Sequence, residues 1–168
     1  RLSDETQKTS LKDHLYEQLD HVRHHLELVF HRFLAGDRPF QKLVIRINGT
    51  EIEAFDPYNS KHPATQHSPQ ETILVAGADV LVQSFVLPHH NKSSKEDWEK
   101  YSGDGGYLRN QGFYVYRSGR LIVHGTWFRL SKQSELTKLA RVRVDMPTEL
   151  DHLWKIDVKK ASASPPLI

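Results

Sequence analysis

Leu11, Leu15, Leu19, Val22, Leu26, Val29, Phe30, Phe33 and Leu34 recur at three- and four-residue steps. At about 3.6 residues per turn, that spacing draws one apolar stripe along a helix. Thr9 or Ser10 can cap its start, Gly36 can end it in a left-handed conformation, and Pro39 lies just beyond. The pattern therefore predicts a long amphipathic helix over 11–36, preceded by a polar, frayed segment over 1–10. Such a helix must cover a sheet or connect to another domain.

Beyond Gly36 the period changes. Leu43–Ile47 and Glu51–Phe55 alternate around Asn48-Gly49, a pair that tolerates the positive φ values of a tight type I′ turn, so they predict a hairpin. Residues 56–71 hold Pro57, Pro63 and Pro69 among polar positions and read as a loop. Thr72–Val75 and Val80–Leu87 follow as strands. The stretch from Pro88 to Gln111 reads as a long functional or mobile loop with a short helix at Glu96–Tyr101 and glycines at 103, 105 and 106. Gly112–Tyr116 and Arg120–Val123 make a second hairpin around Ser118-Gly119. Leu136–Leu139 reads as a short helical turn. Arg141–Asp145 alternates as a strand with Val142 and Val144 on one face. Pro147 opens a short helix at Thr148–Leu153, and Ile156 with Val158 forms a last strand ending in Lys159-Lys160. Residues 162–168 read as a linker. This order predicts an α+β fold with a mixed sheet of four to six strands and helices on one face.

Composition narrows the chemistry. A chain of 168 residues with 38% hydrophobic and 26% charged residues fits one globular domain. The absence of cysteine excludes disulfides, thiol nucleophiles and thiolate zinc sites. No apolar run approaches the roughly 20 residues of a membrane span, and no signal peptide opens the chain, so a cytoplasmic setting without membrane contact is expected. A net charge of +2 is too small to imply a polyanion partner. The chain starts at Arg1 and its sole methionine is Met146, so it reads as a piece of a longer protein.

Candidate chemistry is sparse. His21 and His25 share a helical face near His14, His24 and His31, but no His-Glu-x-x-His pattern completes a metal site, and an exposed polar face explains them better. Ser102-Gly103-Asp104-Gly105-Gly106 lacks the Gly-Lys-Ser/Thr of a P-loop and reads as a loop tip. There is no Gly-x-Ser-x-Gly nucleophile elbow. Tyr114, Tyr116, Arg117 and Arg120, in a cluster with Phe113, Trp127, Phe128 and Arg129, could stack and hold nucleic acid, although paired aromatics in a sheet give the same pattern. Lys159 and Lys160 follow a strand and could reach an anion held by a neighbouring domain.

A longer pattern adds to these. Asn110-Gln111-Gly112-Phe113-Tyr114-Val115-Tyr116-Arg117, Arg120-Leu121-Ile122 and Gly125-Thr126-Trp127 form its centre. Leu139-Ala140-Arg141-Val142, Asp145-Met146-Pro147, Leu150-Asp151 and Trp154-Lys155-Ile156-Asp157-Val158-Lys159-Lys160 continue it. Phe30-His31-Arg32-Phe33-Leu34, Ile47-Asn48-Gly49 and Phe55-Asp56-Pro57 precede it. Together these residues resemble the segment that follows the ATP-binding domain in GHKL-superfamily ATPases, the group of gyrase B, MutL and the histidine kinases, and most of all its Microrchidia-like branch. The resemblance spans roughly residues 20–166.

It implies a transducer domain over 37–161, joined by the helix at 11–36 to an ATP-binding domain of the same chain. The implied fold is that of ribosomal protein S-five domain two, with a left-handed β-α-β crossover. One lysine, Lys159 or Lys160, would contact the ATP γ-phosphate, and domain rotation or homodimerisation would follow. The superfamily's catalytic Glu, magnesium-binding Asn and full Asp-x-Gly-x-Gly motif are absent, since Leu108 stands where Asp104-Gly105-Gly106 would need its second glycine. The resemblance thus implies a non-catalytic segment that binds no cofactor alone, inside a parent ATPase that uses ATP and magnesium. Nucleic acid remains the alternative partner.

Overall fold

The computed structural model describes residues 2–151, with side chains from 11 onward. The backbone divides at Phe55 into two units.

In the first unit, α1 runs Leu2–Val29 and α2 runs His31–Ala35. The helix starts well ahead of Ser10 because nothing in Leu2–Ser10 breaks it: the segment has neither glycine nor proline. At the other end the expected single helix is interrupted at Phe30, whose carbonyl accepts from both Phe33 and Leu34 at 2.9 Å. Gly36 then caps α2 at φ 73° as expected. The stripe is covered at its C-terminal end, where Val29 and Leu34 are buried, while Leu11, Leu15 and Val22 stay at least half exposed.

The Asn48-Gly49 turn forms with φ 51° and 82°, the mirror-image geometry its sequence favours. Its strands are short, however: β1 is Arg46–Ile47 and β2 is Thr50–Glu51, tied by an Arg46–Glu51 ion pair. An isolated two-stranded ribbon gains little by lengthening.

The second unit holds a mixed six-stranded sheet with few helices, so the fold is α+β. Its strands are β3 (Gln66–His67), β4 (Glu71–Val75), β5 (Ala78–Val86), β6 (Gly112–Arg117), β7 (Arg120–Thr126) and β8 (Ala140–Met146). β3 and β4 both pair with β5, and the order continues β5-β8-β6-β7. All neighbours are antiparallel except β6 and β8, which run parallel. Two further type I′-like turns close hairpins, Ala76-Gly77 (φ 48° and 84°) and Ser118-Gly119 (φ 48° and 82°).

Both sheet faces are occupied. Val80, Val115, Val144 and Met146 pack together with Leu150, from the 3-10 turn Thr148–Leu150, on the aliphatic side. The opposite face carries Phe85, Arg141, Tyr114, Arg143 and Tyr116, with Tyr58 stacked on Phe85 at 4.3 Å. The 88–111 stretch is more ordered in backbone than a plain loop: α3 spans Lys95–Ser102, N-capped by Ser94, and α4 spans Gly106–Arg109. At 136–139 the chain makes turns rather than the expected helix. The expected strand at 156–158 and Lys159-Lys160 lie outside the described residues, as does the expected 162–168 linker.

Candidate functional site

Of the lysines expected to reach phosphate, neither Lys159 nor Lys160 falls within the described residues. What leads to them does. β8 ends at Met146, Pro147 turns the chain, and Leu150 is 1% exposed in the core. Directly after it, Asp151 takes Arg117 in a fork: Arg117 Nε reaches both carboxylate oxygens at 2.7 and 2.8 Å, and Nη2 donates at 2.5 Å. This hydrogen bonding raises the Arg117 pKa further above its usual value. Both side chains are about one-third exposed, at 38% and 34%, so solvent screening limits the pair to about 1 kcal/mol. Its role is geometric: it fastens the end of β6 to the chain leaving the sheet.

The nucleic-acid reading meets a correction here. Tyr114 and Tyr116 are 2% and 0% exposed, so neither ring offers a face for a base to stack on. Their partners are internal. Tyr114 Oη donates to Asn110 O at 2.8 Å, and Tyr58 Oη donates to Tyr116 Oη at 2.9 Å. Alternation along β6 points Tyr114 and Tyr116 away from Val115, and a loop carrying Tyr58 closes over them. Arg117 is committed to Asp151, and Arg120 is exposed at the hairpin end opposite it.

Burial raises the pKa of Tyr58 strongly, that of Tyr114 less, and that of Tyr107 to about 12. An unfolded tyrosine titrates near 10. Because folding favours the neutral phenols, the stability they contribute is intact below about pH 10 and is lost as pH rises through the folded values, near 12 for Tyr107. Urea unfolding between about pH 10 and 12 should show falling stability, with these tyrosines becoming tyrosinate only as the sheet unfolds. Full tyrosinate absorbance at about pH 10.5 with circular dichroism unchanged would contradict it.

On the same face, Arg141 is 2% exposed. Its guanidinium donates to Pro57 O and, at 2.7 Å, to Tyr101 O, and lies 5.5 Å from the Tyr114 ring centroid. Its Nε is buried without a partner among the described residues. Tyr101 lies in the last turn of α3, where carbonyls favour a cation. Arg141 thus fixes the sheet, the Asp56–Ser60 turn and α3 in one arrangement.

The glycine cluster is organised as a loop rather than an open phosphate cradle. Asn110 Nδ2 donates to the carbonyls of Ser102 (2.7 Å), Asp104 (3.0 Å) and Gly106 (3.1 Å). Beside it, Gln111 is wholly buried and bonds in five directions. Its Nε2 donates to Leu108 O at 2.8 Å and Ser134 O at 3.2 Å. Its Oε1 accepts from Trp127 Nε1 at 3.1 Å, Ser134 N at 3.2 Å and Thr137 Oγ1 at 2.5 Å. Motif chemistry singles out neither Gln111 nor Arg141, because each acts through bonds to backbone and side chains distant in sequence.

His14, His21, His24 and His25 lie exposed on α1, whereas His31 is buried and hydrogen-bonds Leu28 O through Nδ1 at 2.7 Å. Among the described residues, no three His, Asp or Glu side chains gather as a metal site, and no helix is long and apolar enough to cross a membrane. No protein-family model, curated protein or solved structure matches this chain significantly.

Proposed function

We propose that this chain is the transducer segment of a GHKL-type ATPase. In that reading it senses the γ-phosphate of ATP held by an ATP-binding domain of the longer chain and relays that state into domain motion or dimerisation. The ribosomal S-five domain-two type of fold, with its left-handed β-α-β crossover, belongs to the same proposal.

The observation that carries the reading is the Arg117–Asp151 clamp. It joins two parts of the resembling pattern, the β6–β7 hairpin and the Leu150-Asp151 step, eight residues (159 − 151) ahead of Lys159. A side chain that must meet a phosphate within hydrogen-bond reach needs such a fixed base. At an effective dielectric near 20, an ammonium about 4 Å from a phosphate charge gains about 4 kcal/mol. Coupling of about 1–3 kcal/mol already suffices to bias a domain equilibrium.

The test uses the intact parent. Replacing both Lys159 and Lys160 by Ala should cut ATP turnover about a thousandfold, the rate equivalent of that contact, with unchanged circular dichroism. Turnover within about threefold of the parent refutes the reading.

A further inference from the structure

Residues 105–111 and 125–139 carry Arg109, Arg129, Lys132 and Lys138 against one carboxylate, Glu135. Lys138 takes Glu135 at 2.8 Å. Arg109, Arg129 and Lys132 are exposed, and none has a carboxylate partner among the described residues. The same segments expose Leu108, Leu130 and Leu136 at 40%, 76% and 97%.

These side chains stand on one base. Gln111 binds Leu108 O, the Trp127 indole and the Ser134–Thr137 turn, and Gln133 Nε2 donates to Arg109 O at 3.3 Å and Gly125 O at 3.5 Å. The turn bearing Arg129 and Leu130 is closed by Leu130 N on Trp127 O at 2.9 Å. Its central residues, Phe128 (φ 50°) and Arg129 (φ 65°), both adopt the left-handed conformation that glycine or asparagine ordinarily fills. The ring of Phe128 is pinned by stacking on Phe113 at 5.8 Å, so the turn holds this strained shape and projects Arg129 and Leu130 outward.

We propose that this platform docks a protein partner whose surface is acidic and apolar, of the kind offered by one face of an acidic amphipathic helix. Exposed leucines that share their segments with exposed cations mark a surface that gains by being covered. Three cations without carboxylates select an acidic partner and speed its approach. A protein fits better than a nucleic acid because the exposed apolar groups are aliphatic, while the nearby aromatics Phe113, Trp127 and Phe128 pack on one another. The platform is independent of nucleotide sensing, and either can fail without the other.

The probe is a fluorescein-labelled helical peptide with leucines at three- and four-residue steps and glutamates elsewhere, titrated with the 168-residue chain. Saturable binding is expected, weakened at least about tenfold by Leu130→Ser with Leu136→Ser and, separately, by Arg129→Glu with Lys132→Glu. All four side chains are exposed, so melting temperatures should stay unchanged. Control peptides with lysine for glutamate, or alanine for leucine, should not bind. The proposal is overturned if the acidic peptide does not saturate, if either variant binds it normally, or if the alanine peptide binds equally well. It is also overturned if single-stranded DNA binds more tightly through the same residues, which would make the surface a nucleic-acid interface.

Discussion

Gln111→Leu should lower the unfolding free energy of the sheet-bearing unit by about 3 kcal/mol. Leucine keeps roughly the volume but strands three donors, on Trp127, Ser134 and Thr137, and two acceptors, on Leu108 and Ser134. Each buried polar group left unmade costs about 1–3 kcal/mol. The upper sum is not reached, because Ser134 and Thr137 sit on a half-exposed turn that can shift to water. For a unit of about this size, 3 kcal/mol corresponds to roughly 10–15 °C in melting temperature. The loss should be local first. Amides at 127–137 should exchange with solvent faster while those of β5 and β8 remain protected, since β5 and β8 pair over six residues through bonds that Gln111 does not make. Calorimetry with hydrogen exchange checks both, and a melting shift below about 3 °C would show that Gln111 is not the hub its bonds describe.

Much of the sheet is legible in the chain because turn chemistry and alternation are local. Asn48-Gly49 and Ser118-Gly119 announce their hairpins through residues that tolerate positive φ, and Val142 and Val144 do share the aliphatic face. The β4–β5 turn is harder to read, since Ala76 takes φ 48° without the usual sequence signal. Pairing is less legible still. Nothing in β6 or β8 states that they lie side by side and parallel, because that register is set by strands distant in sequence. The same gap explains the tyrosines. Alternation places Tyr114 and Tyr116 opposite Val115, but only the Tyr58 loop, more than fifty residues upstream, decides that this second face is closed. The platform leucines carry no period at all, so only their exposure reveals them. The proposed phosphate contact of Lys159 or Lys160 rests on the resemblance alone.

Arg141 should show an inverted order of tolerance, with Arg141→Lys costing more than Arg141→Met. The guanidinium is buried among Tyr114, Pro57 and Tyr101, without a carboxylate partner among the described residues and with Nε unpartnered. Two charge-assisted bonds to carbonyls contribute about 1.5–3 kcal/mol each, and the Tyr114 face adds about 2. Against them stands the desolvation of a whole charge, which amounts to several kcal/mol. Methionine gives up both sides of that balance while filling most of the volume, so its net cost should be about 2 kcal/mol. Lysine keeps the buried charge but loses the planar fork that spans Pro57 O and Tyr101 O together, which should cost about 3–4 kcal/mol. Arg141→Ala adds a cavity to the lost bonds and should cost about 3–5 kcal/mol. Urea unfolding of the three variants gives the ranking directly. If lysine proves milder than methionine, the charge itself is what the aromatic face requires. The site would then hold a cation for its Coulombic effect on Tyr101, Tyr107 and Tyr114, rather than a fork that fastens α3 to the sheet.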